Sequence, residues 1–236
     1  MVYRLVITPE QQQEQKITLT LGQQHYLFRV LRLGNGDRFV AMDGGGKSWL
    51  AEIAAESANI IESVDISTEL PVEITLITAL PKGSGYEQVV RCCTELGVST
   101  FLPVISDRTL LKPSPNKVDR WRKIATEAAE QSERQIVPAI LDPIKFALAM
   151  NSVDQPQDKY ICVARGDLPT LGNCLQTRQE AELVIATGCE GGWTEAEIKL
   201  AIAVGYQPVS LGSRILRAVT APIVALSVAV AALEKI

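Results

Sequence analysis

The pattern of apolar residues changes once along this chain, near Pro71, and this change constrains the fold more than any other feature. Before it, short runs typical of β-strands alternate with turn residues such as the Gly-Asn-Gly-Asp of residues 34–37. One short helix is expected near residues 23–31. The runs lie at residues 3–7, 17–21, 38–42, 48–53 and 59–65. Closely spaced short strands of this kind predict a small barrel.

After Pro71 the chain alternates longer strands with helices. Residues 72–80 are apolar at most positions, as in a strand that is buried on both faces. Further strands are predicted at residues 100–105, 159–164, 182–187 and 207–210, and helices at residues 86–96, 117–133, 194–204 and 218–233. Such alternation predicts a largely parallel sheet covered on both faces. The fold class is therefore α/β, with a β-rich domain over residues 1–70 and an α/β domain over residues 71–236.

Charge and cysteine usage limit the classes of function. The net charge of −4 excludes a strongly basic nucleic-acid binder, although a local basic patch stays possible. The chain has one histidine, and its five cysteines form no C-x-x-C pair, so we expect no metal site and a reducing, cytoplasmic location. Residues 218–233 carry no charge, but a membrane-spanning helix needs about 20 apolar residues. We expect this segment to be a buried core helix and expect no membrane association.

Three loops that contain glycine follow predicted strands of the α/β domain, at residues 80–84, 187–192 and 211–217. Ligands bind at the carboxyl ends of strands in folds of this class. In the second loop, three glycines surround Glu190 and allow a ligand to approach the backbone closely. The same pattern also fits two tight strand-to-helix turns, and the residues alone leave both interpretations open.

A basic stretch at residues 108–123 has six cations and one acid, Asp119. Spread over a loop and a helix face, these charges suit a nucleic-acid backbone, and they equally suit a solvated helix surface. Arg4, Arg29 and Arg32 form a smaller cluster in the β-rich domain.

Several short blocks occur in a fixed order along the chain. They are HYLFRVLR at residues 25–32, LPKG at 80–83, TELGV at 94–98, AAEQSER at 128–134, GCEGG at 188–192 and LGSRILR at 211–217. In this order and spacing they resemble the RsmE family, the 16S ribosomal RNA uridine-N3 methyltransferases of the SPOUT superfamily. The resemblance runs through most of the chain.

The resemblance implies a PUA-like RNA-binding β-barrel at the N-terminus and a C-terminal SPOUT domain with a deep trefoil knot. It implies a homodimer with S-adenosylmethionine (SAM) as cofactor, bound near the subunit interface, and 16S ribosomal RNA or the small ribosomal subunit as partner. The expected cofactor-binding residues are Leu80, Thr187, Gly188, Gly191, Gly192, Leu211, Gly212, Ser213, Ile215 and Leu216. The expected RNA-binding residues are Arg4, His25, Arg29, Arg32, Lys82, Arg108 and Arg134.

The chain departs from the family pattern at two places. Cys189 stands where the family usually has proline, and Ala218-Val219 stands where it usually has Thr-Glu. Because Val219 cannot ionise, we expect Glu190 to be the catalytic carboxylate and Arg217 the catalytic cation. Two alternatives stay open: a SPOUT methyltransferase that acts on another RNA position, and a non-catalytic RNA-binding factor that keeps the fold.

Overall fold

The structure, a computed structural model, describes residues 2–65, 68–152, 158–176 and 182–234. The chain forms two compact units. The first unit comprises Met1–Glu69 and Ala129–Val137, and the second comprises Leu70–Ala128 and Pro138–Ile236. The sequence did not predict that residues 129–137 return to the first unit.

The first unit is built on a six-stranded sheet with the order β1-β4-β5-β6-β3-β2. Its strands are β1 (Arg4–Val6), β2 (Gln12–Gln13), β3 (Lys16–Thr18), β4 (Arg38–Met42), β5 (Ser48–Ala54) and β6 (Ser57–Val64). Neighbouring strands pair antiparallel, except that β1 and β4 are parallel. Leu5 of β1 and Ile17 of β3 share one apolar core with Phe39 and Ile53. Strands near both ends of the strand order thus contribute to one core, as the predicted PUA-like barrel requires.

A short helix, α1 (Leu21–His25), interrupts the barrel strands and continues as one π-helical turn, Tyr26–Val30. It begins at Thr20, whose side chain accepts a hydrogen bond from the Gln23 backbone amide. This cap ends β3 before Leu21, so the predicted strand over residues 17–21 is too long. His25 is exposed. The wider π turn instead turns Leu27 inward.

Residues 129–137 complete the first unit through hydrogen bonds that involve backbone amides. The Val6 amide donates to Glu130 Oε1 at 2.7 Å, and the Val137 amide donates to the Gly44 carbonyl at 2.9 Å. These contacts join segments that are far apart in sequence, which is why the sequence pattern could not reveal them.

The second unit is a seven-stranded sheet in which all neighbouring strands are parallel. The order is β10-β8-β7-β12-β11-β13, and β9 pairs with β8. The strands are β7 (Glu73–Ala79), β8 (Thr100–Ile105), β9 (Ala139–Ile140), β10 (Ile144–Lys145), β11 (Asp158–Cys162), β12 (Glu182–Thr187) and β13 (Gln207–Val209). The remaining helices are α2 (Gly85–Glu95), α3 (Pro115–Gln131), α4 (Phe146–Asn151), α5 (Leu171–Leu175), α6 (Glu195–Ala203) and α7 (Thr220–Leu233), and the last three residues of α3 belong to the first unit. The predicted α/β class and parallel sheet are confirmed.

Helix α7 is only half buried, which differs from the predicted core helix. Its buried residues are Pro222, Ala225, Leu226, Ala229 and Leu233, and the opposite face is partly or fully exposed. All the same, the helix carries no charged residue. In the described ranges, no helix combines the length and the apolar character needed to cross a membrane. The same residues contain no group of three or more His, Cys, Asp or Glu side chains that could hold a metal ion.

Candidate functional site

Loops at the carboxyl edge of the parallel sheet line a cavity in the second unit. Strands β12, β11 and β13 are neighbours, so the loops that follow them meet at one edge of the sheet. The cavity has a volume of about 440 Å³. Six of the expected cofactor-binding residues line it: Gly188, Gly191, Gly192, Leu211, Gly212 and Leu216. The two glycine loops therefore line one space.

Four other expected cofactor residues do not line the cavity. Leu80 and Thr187 are buried, and Ser213 and Ile215 are exposed. The cavity is also lined by residues that were not expected from the sequence to be site residues: Cys162, Val163, Ala164, Arg165, Trp193, Glu195, Ile198, Arg214, Ala218 and Ala221. The loop after β11 carries no glycine-rich motif, but its position after a strand of the same parallel sheet could have identified it.

Close packing explains two glycines of the loop after β12. A Cβ atom at Gly188 would lie 3.2 Å from the Gly192 Cα, which is backbone and cannot move aside. A Cβ atom at Gly191 would lie 2.9 Å from the Arg108 Cδ. Glycine at these positions lets the loop fold back on itself and lie against Arg108.

The turn after β8 braces this loop. Arg108 Nη1 donates to the Gly191 carbonyl at 2.6 Å and to the Trp193 carbonyl at 3.3 Å. The Asp107 amide donates to Oε1 of the buried Glu197 at 2.9 Å. Arg108 also lines the cavity. Its guanidinium thus shapes the cavity wall, a role that the predicted RNA contact did not include.

The two expected catalytic residues lie beside the cavity. Glu190 is exposed, and its Oε1 accepts a hydrogen bond from the Lys82 amide at 3.0 Å. Arg217 is also exposed, and its carbonyl accepts hydrogen bonds from the first residues of α7. Neither side chain lines the cavity, but both sequence neighbours of each residue do. The structure thus brings Glu190 next to the Lys82 loop and holds both residues at the cavity rim.

The buried cysteine Cys162 lies in the cavity wall as a neutral thiol. Burial raises the pKa of Cys162 to about 12. Cys189, which replaces the usual proline, is buried, and its Sγ lies 3.8 Å from the Ser106 Oγ. Val219, which replaces the usual glutamate, lies close to the start of α2, since a Cβ at Gly85 would be 2.8 Å from its Cγ2. Cys189 is thus buried in the core beside a serine hydroxyl, and Val219 lies against the start of α2.

Most of the basic stretch at residues 108–123 is bonded within the second unit. Four of its six cations bind acceptors there: Arg108 binds Gly191 and Trp193, Lys117 binds Gly83, Arg120 binds Glu87, and Arg122 binds Asp119 and Asp142. Lys112 and Lys123 form no ion pair with any residue that the structure describes. Four of the six cations are therefore paired within the second unit, and all of the six except Lys117 are exposed.

The expected RNA-binding residues of the first unit divide into two groups. His25, Arg29 and Arg32 are exposed. Arg4, by contrast, pairs with Glu133 at 2.9 Å. Arg134 is only 3% exposed, and its Nη2 lies 2.6 Å from Glu69 Oε2. This burial opposes the expected RNA contact of Arg134, because a guanidinium held in a buried ion pair cannot reach a phosphate while the unit is folded.

Comparison with known proteins assigns the chain to a family. The family described as RNA methyltransferase domain matches residues 68–230, and the RNA methyltransferase PUA domain matches residues 19–66. The chain is 54% identical to the ribosomal RNA small subunit methyltransferase E of Synechocystis over 240 residues, which cover 100% of this chain and 79% of the relative. It is 31% identical to the Bacillus subtilis protein of the same name, covering 95% of this chain and 94% of the relative.

Solved structures agree with this match. A ribosomal RNA small subunit methyltransferase E from Neisseria gonorrhoeae, bound to S-adenosyl methionine, superimposes with a TM-score of 0.88 at 30% identity, covering 96% of each chain. A methyltransferase from Legionella pneumophila in complex with SAM gives a TM-score of 0.87 at 27% identity, covering 97% of each chain. The resemblance found in the sequence blocks is confirmed, and the chain belongs to the ribosomal RNA small subunit methyltransferase E family, the RsmE family.

Proposed function

We propose that this protein transfers the methyl group of SAM to N3 of a specific uridine in 16S ribosomal RNA. The observation that carries the proposal is that both glycine loops, after β12 and before α7, line the same cavity. Family membership and the SAM-bound relatives support the same reaction.

The cavity fits a nucleoside cofactor. Its volume of about 440 Å³ lies within the range of about 300–1,000 Å³ of small-molecule sites. Backbone groups of Gly188 and Leu211 and the carbonyls of Gly192 and Gly212 would hold the adenosine, because such groups can pair with the edge of a base. The Gly192 and Gly212 amides already donate within their own loops. Trp193 and Ile198 supply apolar walls. When bound, SAM supplies an electrophilic methyl group.

Residues at the rim would activate the uracil. N3 carries a proton at neutral pH and becomes a good nucleophile only when that proton leaves. The Glu190 carboxylate would accept the proton, since only its Oε1 is bonded to the Lys82 amide and Oε2 stays accessible. The guanidinium of Arg217 would stabilise the negative charge on the uracil. A paired base hides N3, so the target uridine would be unpaired.

The rest of the molecule would serve RNA binding and assembly. We propose that residues 1–70 form the PUA-like RNA-binding barrel and that residues 71–236 form the SPOUT domain. His25, Arg29 and Arg32 of the barrel would contact the RNA. The protein would act in the cytoplasm. The strand order β7-β12-β11-β13, in which β12 lies between two earlier strands, fits the trefoil knot. The apolar exposed face of α7 supports a homodimer, because a helix that is apolar all round is normally covered.

The reaction is tested with purified protein, SAM and 16S ribosomal RNA that lacks the modification. The RNA is supplied in two forms, as free RNA and as part of small ribosomal subunits. Mass spectrometry of nuclease fragments should find one methyl group on N3 of one uridine. A methyl group at another position would support the alternative substrate, which is open because Ala218 and Val219 replace a hydroxyl and a carboxylate of the usual family pattern. Absence of SAM binding in calorimetry would support a binding factor without catalysis.

A further inference from the structure

Two arginines in the cavity wall have no partner among the residues that the structure describes. Arg165 follows β11 and Arg214 follows β13, and both line the cavity. Both side chains are exposed. Neither side chain forms an ion pair or hydrogen bond with any residue in the ranges that the structure describes. They differ in this from the third cavity arginine, Arg108, which binds two carbonyls.

The two loops that carry these arginines are joined by the backbone. Strands β11 and β13 pair in parallel, with Cys162 opposite Val209. Beyond the strands, the Ser210 amide donates to the Pro169 carbonyl at 2.9 Å, and the Leu171 amide donates to the Ser210 carbonyl at 3.0 Å. The loop after β11 is therefore held beside the loop after β13, so Arg165 and Arg214 are kept on one side of the cavity.

The charges around the cavity favour an anion at this place. The wall contains Arg108, Arg165 and Arg214 but one acid, Glu195. Unpaired guanidiniums bind phosphate well because their N–H groups match its oxygens. SAM, the cofactor of the proposed function, carries a sulfonium and an ammonium beside one carboxylate, so its net charge is positive. Two unpaired arginines would therefore not attract the cofactor as a whole.

Most cations of the basic stretch at residues 108–123, which the sequence suggested for RNA binding, form hydrogen bonds or ion pairs within the protein. Four of the six in residues 108–123 bind acceptors within the second unit. Arg165 and Arg214 line the cavity and pair with no residue in the described ranges, so both are available to a polyanionic substrate close to the reacting base.

We propose that Arg165 and Arg214 form a phosphate subsite that holds the RNA backbone next to the target nucleotide. The inference rests on the proposed function and extends it by naming the group that the cavity wall recognises. Two guanidiniums from joined loops fix the position of one phosphodiester, and this orients the adjacent base toward the cavity.

The test compares the Arg165→Ala/Arg214→Ala double variant with a Lys199→Ala variant. Lys199 is exposed on α6 and does not line the cavity, so its loss controls for the removal of surface charge. Thermal melting confirms that each variant folds. Binding to an unmodified 16S ribosomal RNA transcript is then measured over a series of salt concentrations, and SAM binding is measured by calorimetry without RNA.

The double variant should bind the transcript about tenfold more weakly. The slope of log K against log salt should fall by about 0.7 for each lost phosphate contact to a single strand. SAM affinity should match that of the unaltered protein. A loss of SAM affinity with unchanged RNA binding would assign the arginines to the cofactor's carboxylate and overturn the proposal.

Unchanged binding of both ligands would also overturn the proposal. So would an equal loss of RNA binding in Lys199→Ala, because it would show that any surface cation contributes. The RNA measurement needs no methyl transfer. Failure of the proposed function would be recognised by a different result: the unaltered protein would neither bind SAM nor methylate the transcript.

Discussion

Arg108 acts on the cavity through the backbone of the loop that forms its wall. Its Nη1 binds the Gly191 and Trp193 carbonyls, and its side chain occupies the space that a Cβ at Gly191 would need. Hydrogen bonds from a charged donor contribute about 1.5–3 kcal/mol each. Removing this arginine should let the loop move and should weaken the binding of any ligand that rests on it.

We expect Arg108→Ala to raise the SAM dissociation constant at least tenfold in calorimetry. Arg108→Lys should restore part of the affinity, since lysine keeps one charged donor but lacks the planar fork. Lys112→Ala is the matched control, because Lys112 is exposed in the same basic stretch and has no ion pair within the described residues. Equal SAM affinity in the unaltered protein and all three variants would show that the hydrogen bonds of Arg108 do not contribute to SAM binding.

Glu190 is positioned to accept a proton because the Lys82 amide fixes one of its carboxylate oxygens. Glu190→Gln keeps an oxygen for that amide but cannot act as a base. A general base contributes about 10²–10⁴-fold to a rate, so turnover should fall at least a hundredfold while SAM affinity is kept. Glu127→Gln, at an exposed position of α3, serves as control. Unchanged turnover would remove Glu190 from the mechanism.

At the scale of the element, helix α6 begins with a capping box that also fixes the cavity wall. The Thr194 side chain accepts from the Glu197 amide at 3.2 Å, and Glu197 Oε2 accepts from the Thr194 amide at 2.8 Å. The other oxygen of Glu197 binds the Asp107 amide. The start of α6 is thus attached to the turn after β8, and the cap stabilises both.

Thr194→Ala should lower the free energy of unfolding by about 1 kcal/mol in urea titration, because the first-turn amides lose an acceptor. Thr126→Ala is the matched control within helix α3. Thr126 Oγ1 bonds the Arg122 carbonyl of its own helix, so alanine there should raise stability by about 0.5 kcal/mol through helix propensity. Shifts of the same sign for both variants would contradict the capping role.

The elements show which structural features a sequence can reveal. The apolar runs of β8 and β12 predicted their bounds without error, because a strand buried on both faces leaves a continuous apolar signal. Helices α4 and α5 were not predicted, since helices of five or six residues depend on tertiary packing rather than on their own periodicity.

The candidate site was predictable to a similar degree. Glycine motifs located two of its loops, but Arg165 lies in a loop that only the strand order places beside them. The partners of the basic residues were also hidden: Lys117 binds a carbonyl 34 residues earlier in the chain, and Arg108 binds one 83 residues later. Charge in a sequence records which groups can pair, and the fold decides which of them do.

At the scale of the whole molecule, the exposed face of α7 bears on assembly. Ile223, Ser227 and Ala231 lie at intervals of four residues on one face, and each is exposed or partly exposed in the single chain. Five buried residues occupy the other side of the helix. The start of α7 also follows Ala218, which lines the cavity. A second copy that covered this face would bury apolar surface and lie close to the cavity rim.

We expect Ser227→Arg to convert the proposed dimer into a monomer when mass is measured by light scattering during size-exclusion chromatography. A buried charge without a partner costs several kcal/mol, whereas the same arginine exposed on a folded monomer costs little. Ile202→Arg is the control, because Ile202 is 50% exposed on α6 and lies on another helix. Retention of the dimer by Ser227→Arg would place the interface elsewhere, and a monomeric unaltered protein would contradict the homodimer itself.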